Sequence, residues 1–392
     1  MLKCASVYTY EIDDLEIAFE EIKTQLDEKV TLLEHSVGIV TCHPEFVGSG
    51  VLRYICENLP FETVGMTTAA QSVNGEAGEL ILTIFVMTSE SVEFRTGVTA
   101  GLVDGELDAP VSKAVGRITA ECEGSPRLVL MFAPANSGFS GDAYVEVWRQ
   151  ITPGVPVFGG VATDDTRDYA LSETIHGGGN FRNEMSFVLC YGDINPRFIV
   201  GTLPHENVLP YKGEVTKSSG SLVHEINNMN AYKYFESIGF TNDGAVSVSY
   251  ILVPFVIDQI TRPDYDGVPV IRSLSSFAED GTAVFLGNVD QGSTFMMLRN
   301  EPQDVLSVTR QKAEQINELS DVNGVLLFPC IARRSMTLRV SPLVELELVR
   351  DLIRPEIPFM MGYAGGEISP SLISADAPVS RFHNYSLIIL VV

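Results

Sequence analysis

One arrangement of elements recurs three times along this chain, and it constrains the fold more than any other feature. Its parts are an apolar strand, a short loop, an amphipathic helix, an apolar run ending in glycine, a polar loop and a closing strand. The first copy runs Val37–Val40, a helix near Val51–Leu59, Phe61–Val64 with Gly65, then Leu80–Met87. The second runs Leu128–Ala133, Ala143–Ile151, Val155–Phe158 with Gly159, then Ser186–Tyr191. The third runs Val325–Ile331, Leu343–Ile353, Ile357–Met361 with Gly362, then Tyr385–Val392. Each glycine opens a different polar loop: Met66–Ala69, Ala162–Asp165 and Gly365–Ile368. A repeated βαββ frame with varied loops places binding specificity on a duplicated scaffold. The expected fold class is therefore α/β (mixed α+β), with repeated βαββ units forming mixed sheets covered by helices.

The length of 392 residues admits two or three domains, each with its own core. With 45% hydrophobic and 20% charged residues, the chain reads as globular rather than disordered. A net charge of −25 argues against nucleic-acid backbones and anionic membranes as partners. No apolar run approaches the roughly 20 residues that span a bilayer, so no membrane insertion is expected. Met1-Leu2-Lys3-Cys4 opens no charged leader followed by an apolar core, so no signal peptide is read. The cysteines at 4, 42, 56, 122, 190 and 330 never form a C-x-x-C pair, which fits separate thiols in a reducing cytoplasm.

Asp13–Glu28 carries Leu15, Phe19, Ile22 and Leu26 on one helical face, with Asp13 and Asp14 at its N-terminus. Asp104–Ala120 reads as a polar connector. The shift to Pro, Lys, Gly and Ser across Pro204–Gly220 reads as a domain boundary, giving domains 1–208 and 209–392. A helix is expected at Leu222–Ile238. Strands follow at Ala245–Pro254, Val268–Ser275, Thr282–Asn288 and Thr294–Arg299, then a helix at Val305–Leu319.

In a βα unit the loop after the strand feeds a helix N-terminus, whose free N–H groups attract carboxylates and phosphates. Ser49, Ser140 and Ser341 are placed as N-caps, and Pro342 suits a first helical position. Arg333 and Arg334 fall in the third such loop, as forked donors for a ligand carboxylate or as partners of acids such as Glu367. Glu367 follows Gly365 and Gly366, which let backbone approach a ligand closely. A carboxylate there holds an ammonium group, so Arg333 and Glu367 together would clamp a zwitterion. Asp164 and Asp165 are expected to share the fold position of Glu367 in the second repeat, with turn and capping chemistry as the alternative. Cys330 ends a buried strand and reads as core, although with His383 and Glu367 it has the makings of a thiol triad. His176 beside Gly177–Gly179 marks a mobile lid or a simple turn, and Trp148 is expected in the core. The histidines at 35, 43, 176, 205, 224 and 383 show no paired metal spacing. Without C-x-x-C-H, any haem would be held non-covalently by one axial ligand.

Met361–Pro370 (Met-Gly-Tyr-Ala-Gly-Gly-Glu-Ile-Ser-Pro) followed by Phe382–Ser386 resembles the C-terminal signature of FIST domain proteins. Leu327–Cys330 with Arg333, Val270–Ser273 and Leu286–Asn288 are similar to that family's upstream and middle portions. Gly65–Ala69 and Phe158–Asp165 resemble its N-terminal half, so the likeness covers about Val37 to Val392. In the family the first Thr-Thr-Ala loop tends to continue Gly-Glu-Ile, whereas here it continues Ala70-Gln71-Ser72. That departure leaves the glutamate's role lost or moved to Glu76 or Glu79. The resemblance implies a non-enzymatic cytoplasmic sensory module that binds a small polar metabolite such as an amino acid and signals through a separate partner protein. It also implies one alternative, a haem-based nitric-oxide or gas sensor, while the Cys330, His383 and Glu367 set keeps a Cys-dependent hydrolase as another. The candidate ligand-binding set is Thr67, Thr68, Asp164, Asp165, Cys330, Arg333, Gly365, Gly366, Glu367 and Asn384. No metal and no resident cofactor other than haem enters these expectations.

Overall fold

A computed structural model describes residues 2–103, 105–120, 122, 124–135, 138–166, 168–204, 207–239, 254–258, 269–371 and 379–392, with only the backbone described at 254–258. Its frame is three six-stranded sheets of one design. In the first, His35–Cys42 runs parallel to Glu62–Thr67 and antiparallel to Leu82–Ser89, with Lys3–Thr9 at the edge. In the second, Leu128–Ala133 pairs in parallel with Val157–Val161 and antiparallel with Ser186–Gly192, and Val92–Val98 is the edge. In the third, Val325–Pro329 takes Phe359–Gly362 in parallel and Leu387–Val391 antiparallel, with Arg197–Gly201 outside. All three sequence repeats thus fold as expected.

What completes each sheet comes from another repeat. The parallel strand of every unit has a free edge, which needs a partner to satisfy its N–H and C=O groups. The hairpin of the first repeat, Gln71–Val73 and Glu76–Gly78, pairs with Phe359–Gly362 of the third sheet. The second repeat's hairpin, Thr174–His176 and Gly179–Phe181, pairs with Glu62–Thr67 of the first sheet. The third repeat's hairpin, Glu367–Ser371 and Val379–His383, pairs with Val157–Val161 of the second. The exchange is cyclic. It joins strands from either side of residue 208 into common sheets.

The three sheets enclose one apolar centre, where Phe328 meets Phe132 at 6.0 Å and Phe158 at 5.6 Å between ring centroids. Helices cover the outer faces. Leu15–Lys29 begins at Asp14, whose carboxylate accepts from Glu16 N and Ile17 N, and it buries Ala18, Ile22 and Leu26. Gly141–Ile151 begins at Ser140 as expected, with Trp148 fully buried beneath it. Pro302–Glu318 starts with Pro302 at the first turn and a reciprocal cap between Glu301 and Asp304. A fourth sheet lies between the third unit's edge strand and its first strand. It contains Val208–Ser219, Leu222–Ile226, Met229–Asn230, Pro254–Asp258, Val270–Phe277, Ala283–Phe285 and Thr294–Leu298.

Several expected elements differ. The connector 104–120 contains the helix Asp108–Thr119, because Val111, Ala114 and Val115 share an apolar face beneath its polar residues. The boundary segment 204–220 is largely the strand Val208–Ser219, which pairs with both Thr294–Leu298 and Leu222–Ile226 while most of its side chains face water. The helix expected at 222–238 is a hairpin followed by the short helix Ala231–Ser237. Asn227 and Asn228 hold φ of 52° and 59°, and two adjacent left-handed residues make a hairpin turn where helical spacing alone suggests continuity. His176 also lies in a hairpin, turned by Gly177 and Gly178. The strand expected at 245–254 lies almost wholly outside the described residues.

Equivalent bonds align the repeats: Thr68 N to Cys42 O, Ala162 N to Ala133 O and Ala364 N to Pro329 O. By that alignment Gly65 and Gly159 are counterparts of Met361, and Gly362 falls one residue later. A Cβ on Gly65 would lie 1.7 Å from Val40 O, and one on Gly159 1.8 Å from Met131 O. Gly65→Ala and Gly159→Ala should each lower stability by about 2 kcal/mol or more, read as a reduced urea midpoint. Gly116→Ala, in a helix with nothing within 4 Å of the added Cβ, should instead raise stability by about 0.5–1 kcal/mol.

Candidate functional site

The exchanged hairpins start at three equivalent places. Thr174 pairs with Met66, Glu367 with Gly160 and Gln71 with Gly362, and these partners are themselves equivalent by the alignment above. Each of the three side chains reaches a residue one or two positions before its own repeat's closing strand. Thr174 Oγ1 donates to Glu184 O at 2.8 Å. The Gln71 amide, oriented so that its nitrogen faces carbonyls, donates to Ile81 O at 2.7 Å. Glu367 Oε2 accepts from Ser386 N at 3.2 Å. Gln71 therefore occupies the glutamate position of the first repeat, so that position carries an amide here. Of the two acids considered as its replacement, Glu76 accepts from Tyr8 and Tyr10 at 3.4 and 3.2 Å, and Glu79 pairs with Arg334.

The third of these places is chemically unlike the other two. Glu367 is fully buried, its Oε1 has no hydrogen-bond partner among the described residues, and the Cys330 thiol lies in hydrogen-bond reach. Burial drives the carboxyl well above its ordinary value of 4.5, outweighing the bonds from Cys330 and Ser386 that favour the charged form. Burial likewise pushes the Cys330 thiol well up, and the neighbouring Glu367 adds to the shift. Burial thus favours the protonated form of both groups. A third group, the Tyr169 phenol, arrives from the second repeat's loop. Burial raises it, and the charges of Cys330, Asp164 and Glu367 raise it further against a lowering bond with Thr163. Tyr169 adopts φ of 54°, an uncommon backbone state for an aromatic residue.

The other sequence candidates support this centre rather than line it. Asp164 accepts from Thr166 N at 2.6 Å and Leu171 N at 2.8 Å, so its two oxygens shape the loop that carries Tyr169. Its counterpart in the third repeat is Gly366, not Glu367, which corrects the expected equivalence; a loop of different length separates the two. Asp165 is exposed, 3.6 Å from His43 Nε2. Thr67 Oγ1 exchanges bonds with the Glu173 backbone, accepting at 2.9 Å and donating at 3.3 Å. Thr68 Oγ1 donates to Ala70 O at 3.3 Å. Gly365 N donates to Val161 O and Gly366 O accepts from Val161 N, while a Cβ on Gly366 would lie 2.5 Å from the Phe382 ring. These glycines admit a neighbouring strand and ring. Asn384 Oδ1 accepts from Ser273 N at 3.2 Å, tying the centre to the fourth sheet.

The arginines also differ from expectation. Arg333 and Arg334 lie in the short helix Ile331–Thr337, which starts directly after Cys330, and not in a loop before Pro342. The guanidinium of Arg333 bonds Glu345 at 2.7 Å, Thr309 at 2.8 Å and the carbonyls of Val305 and Tyr385 at 3.2 Å. Glu345 in turn accepts from Tyr363 at 3.1 Å. A buried guanidinium with its donors used in this way organises the floor of the centre, and the zwitterion clamp with Glu367 is not assembled. His383 stands across the hairpin from Glu367, yet its Nε2 donates to Ser369 O at 3.2 Å and burial lowers it to about 4. Cys330 and Glu367 thus meet without an imidazole base between them. Sequence reasoning missed Tyr169, Glu345 and Arg272. The last is buried, bonds Asp142 at 3.3 Å and Phe382 O at 3.0 Å, and lies inside the Val270–Ser273 motif.

Comparison with known families matches the FIST N domain to residues 36–229 and the FIST C domain to residues 231–370. No curated protein matches the chain. Among solved structures, a cyanuric acid hydrolase from A. caulinodans is similar at 11% identity, over 49% of this chain and 72% of that one, with a TM-score of 0.26. A likeness that low carries no argument about fold or activity.

Two outcomes follow from the buried, protonated pair. Of six thiols only Cys122 is partly exposed, so a thiol reagent at pH 7.5 should label at most one in the native protein and six after unfolding. Cys330→Ser should leave the native count unchanged. Glu367 keeps a proton in the folded state that the unfolded chain releases near 4.5, so its contribution is full below that pH and declines as pH rises toward the folded value. Glu367→Gln should therefore gain on wild type by up to about 1.4 kcal/mol per pH unit above 4.5, compared by urea unfolding at several pH values. A difference that stays flat with pH would show the carboxyl to be ionised.

Proposed function

The chain belongs to the FIST family of sensory signal-transduction domains, and we propose that it binds a small polar metabolite of amino-acid size at the Glu367–Cys330 centre. One observation carries this reading: Glu367, buried and with its proton affinity raised by that burial, presents an oxygen with no partner among the described residues, near Cys330. An orphaned buried polar atom is unfavourable by about 1–3 kcal/mol, a deficit that a ligand group with the matching atom removes.

The protonation state sets which ligands suit. A neutral carboxyl donates to a carbonyl or hydroxyl oxygen. An ammonium group instead pairs with the carboxylate, so its binding expels the proton and strengthens as pH rises. The protonated thiol and the engaged His383 favour binding over nucleophilic chemistry. Loops contributed by two repeats surround the centre, so occupancy favours one arrangement of those loops. A separate signalling protein that distinguishes the arrangements would receive the output, and the six thiols suit a cytoplasmic setting.

Thermal melting against a panel of amino acids and similar metabolites tests this reading. A ligand at about 100 times its Kd adds roughly 2.7 kcal/mol, enough to raise the melting point by a few degrees. Glu367→Ala should abolish the shift. A panel without effect on the wild type, or a shift undiminished in Glu367→Ala, would exclude this site. Calorimetry of an active ligand in two buffers of different ionisation enthalpy then reports whether a proton leaves.

A further inference from the structure

A cavity of about 320 Å³ opens on the far part of the same hairpin, between the third sheet's edge strand, the helix Pro302–Glu318 and the fourth sheet. Its polar lining carries Lys312, Gln315, Arg381, Ser371 and His383, and its apolar lining includes Phe198 and Ile271. No acidic side chain is among its described lining residues, in a chain whose net charge is −25.

We propose that this cavity is a second binding site, for a small molecule bearing a carboxylate or phosphate on an apolar body. Arg381 is only 2% exposed, so its guanidinium belongs to the cavity wall and not to the solvated surface. Burial lowers Lys312, as it does for an ammonium held away from bulk water, and an arriving anion reverses that penalty. The buried Oγ of Ser371 has no hydrogen-bond partner among the described residues and supplies a donor. Arg381 and Ser371 project from the same face of the hairpin as Glu367, since alternate residues share a face. A planar guanidinium, an ammonium and a hydroxyl beside an apolar wall match an oxyanion with a hydrocarbon portion. This assignment is independent of the Glu367 centre.

Calorimetric titration of the full chain with inorganic phosphate and, separately, with benzoate tests it, at constant ionic strength held with chloride. Saturable one-to-one binding of at least one probe is expected, and the probe that binds identifies phosphate or carboxylate as the preferred group. Lys312→Gln and Arg381→Gln should each weaken that binding about tenfold or more, as loss of a charge-assisted bond does. Glu367→Gln should leave it unchanged. Lys312 is half-exposed on a helix, so Lys312→Gln keeps the test valid if the Arg381 variant fails to fold. No saturable binding of either probe, binding as tight as wild type in Lys312→Gln, or loss of binding in Glu367→Gln would each overturn the proposal.

Discussion

The free edge of three parallel strands is the constraint from which the rest of this structure follows. Each of Glu62–Thr67, Val157–Val161 and Phe359–Gly362 needs a partner for its outward N–H and C=O groups, and each receives a short hairpin from another repeat. Hairpins of three to five residues have little stability alone. Seated on a neighbour's sheet, they close a cycle in which no unit is complete without the others. The common core of Phe132, Phe158 and Phe328 depends on that closure, because it is built from the inner faces of all three sheets.

The same closure brings three chemically different side chains to one place in the frame. Gln71, Thr174 and Glu367 each begin an exchanged hairpin and each reach the start of a closing strand. An amide and a hydroxyl are satisfied there as donors. A carboxyl at that place is left with one oxygen unmatched, and burial then holds its proton. The asymmetry between repeats is thus a difference of one functional group on an otherwise shared backbone. Around it, buried ion pairs hold the elements in place: Arg333 with Glu345 below the centre, and Arg272 with Asp142 beside the hairpin. Pairs so enclosed are costly to break and fix the arrangement of the segments they join.

Much of the frame was legible in the sequence because apolar periodicity reports burial directly. The runs at 325–331, 357–361 and 385–392 are buried strands, and the spacing in 13–28 and 305–319 is that of helices with one covered face. Where two periodicities overlap, the reading failed. Residues 222–238 carry apolar positions compatible with a helix, and the turn at Asn227-Asn228 depends on φ above zero at both, a backbone property that composition only hints at. Strand 208–219 was hidden by its polar side chains, most of which face water.

The site was legible by residue and not by role. Glu367 and Cys330 stand out from the sequence and do meet, but the arginine expected to join them turns to Glu345, which sits twelve residues on and on another helix. By itself the sequence determined three βαββ units, their helices, and the candidate acid that follows two glycines. Only the tertiary structure decided that hairpins are exchanged, that Gln71 and Thr174 are the counterparts of Glu367, and that Tyr169 joins the centre. Local pattern records which face of an element is buried; which distant element buries it, and hence which charges are paired and which carboxyl keeps its proton, is settled by packing between segments hundreds of residues apart.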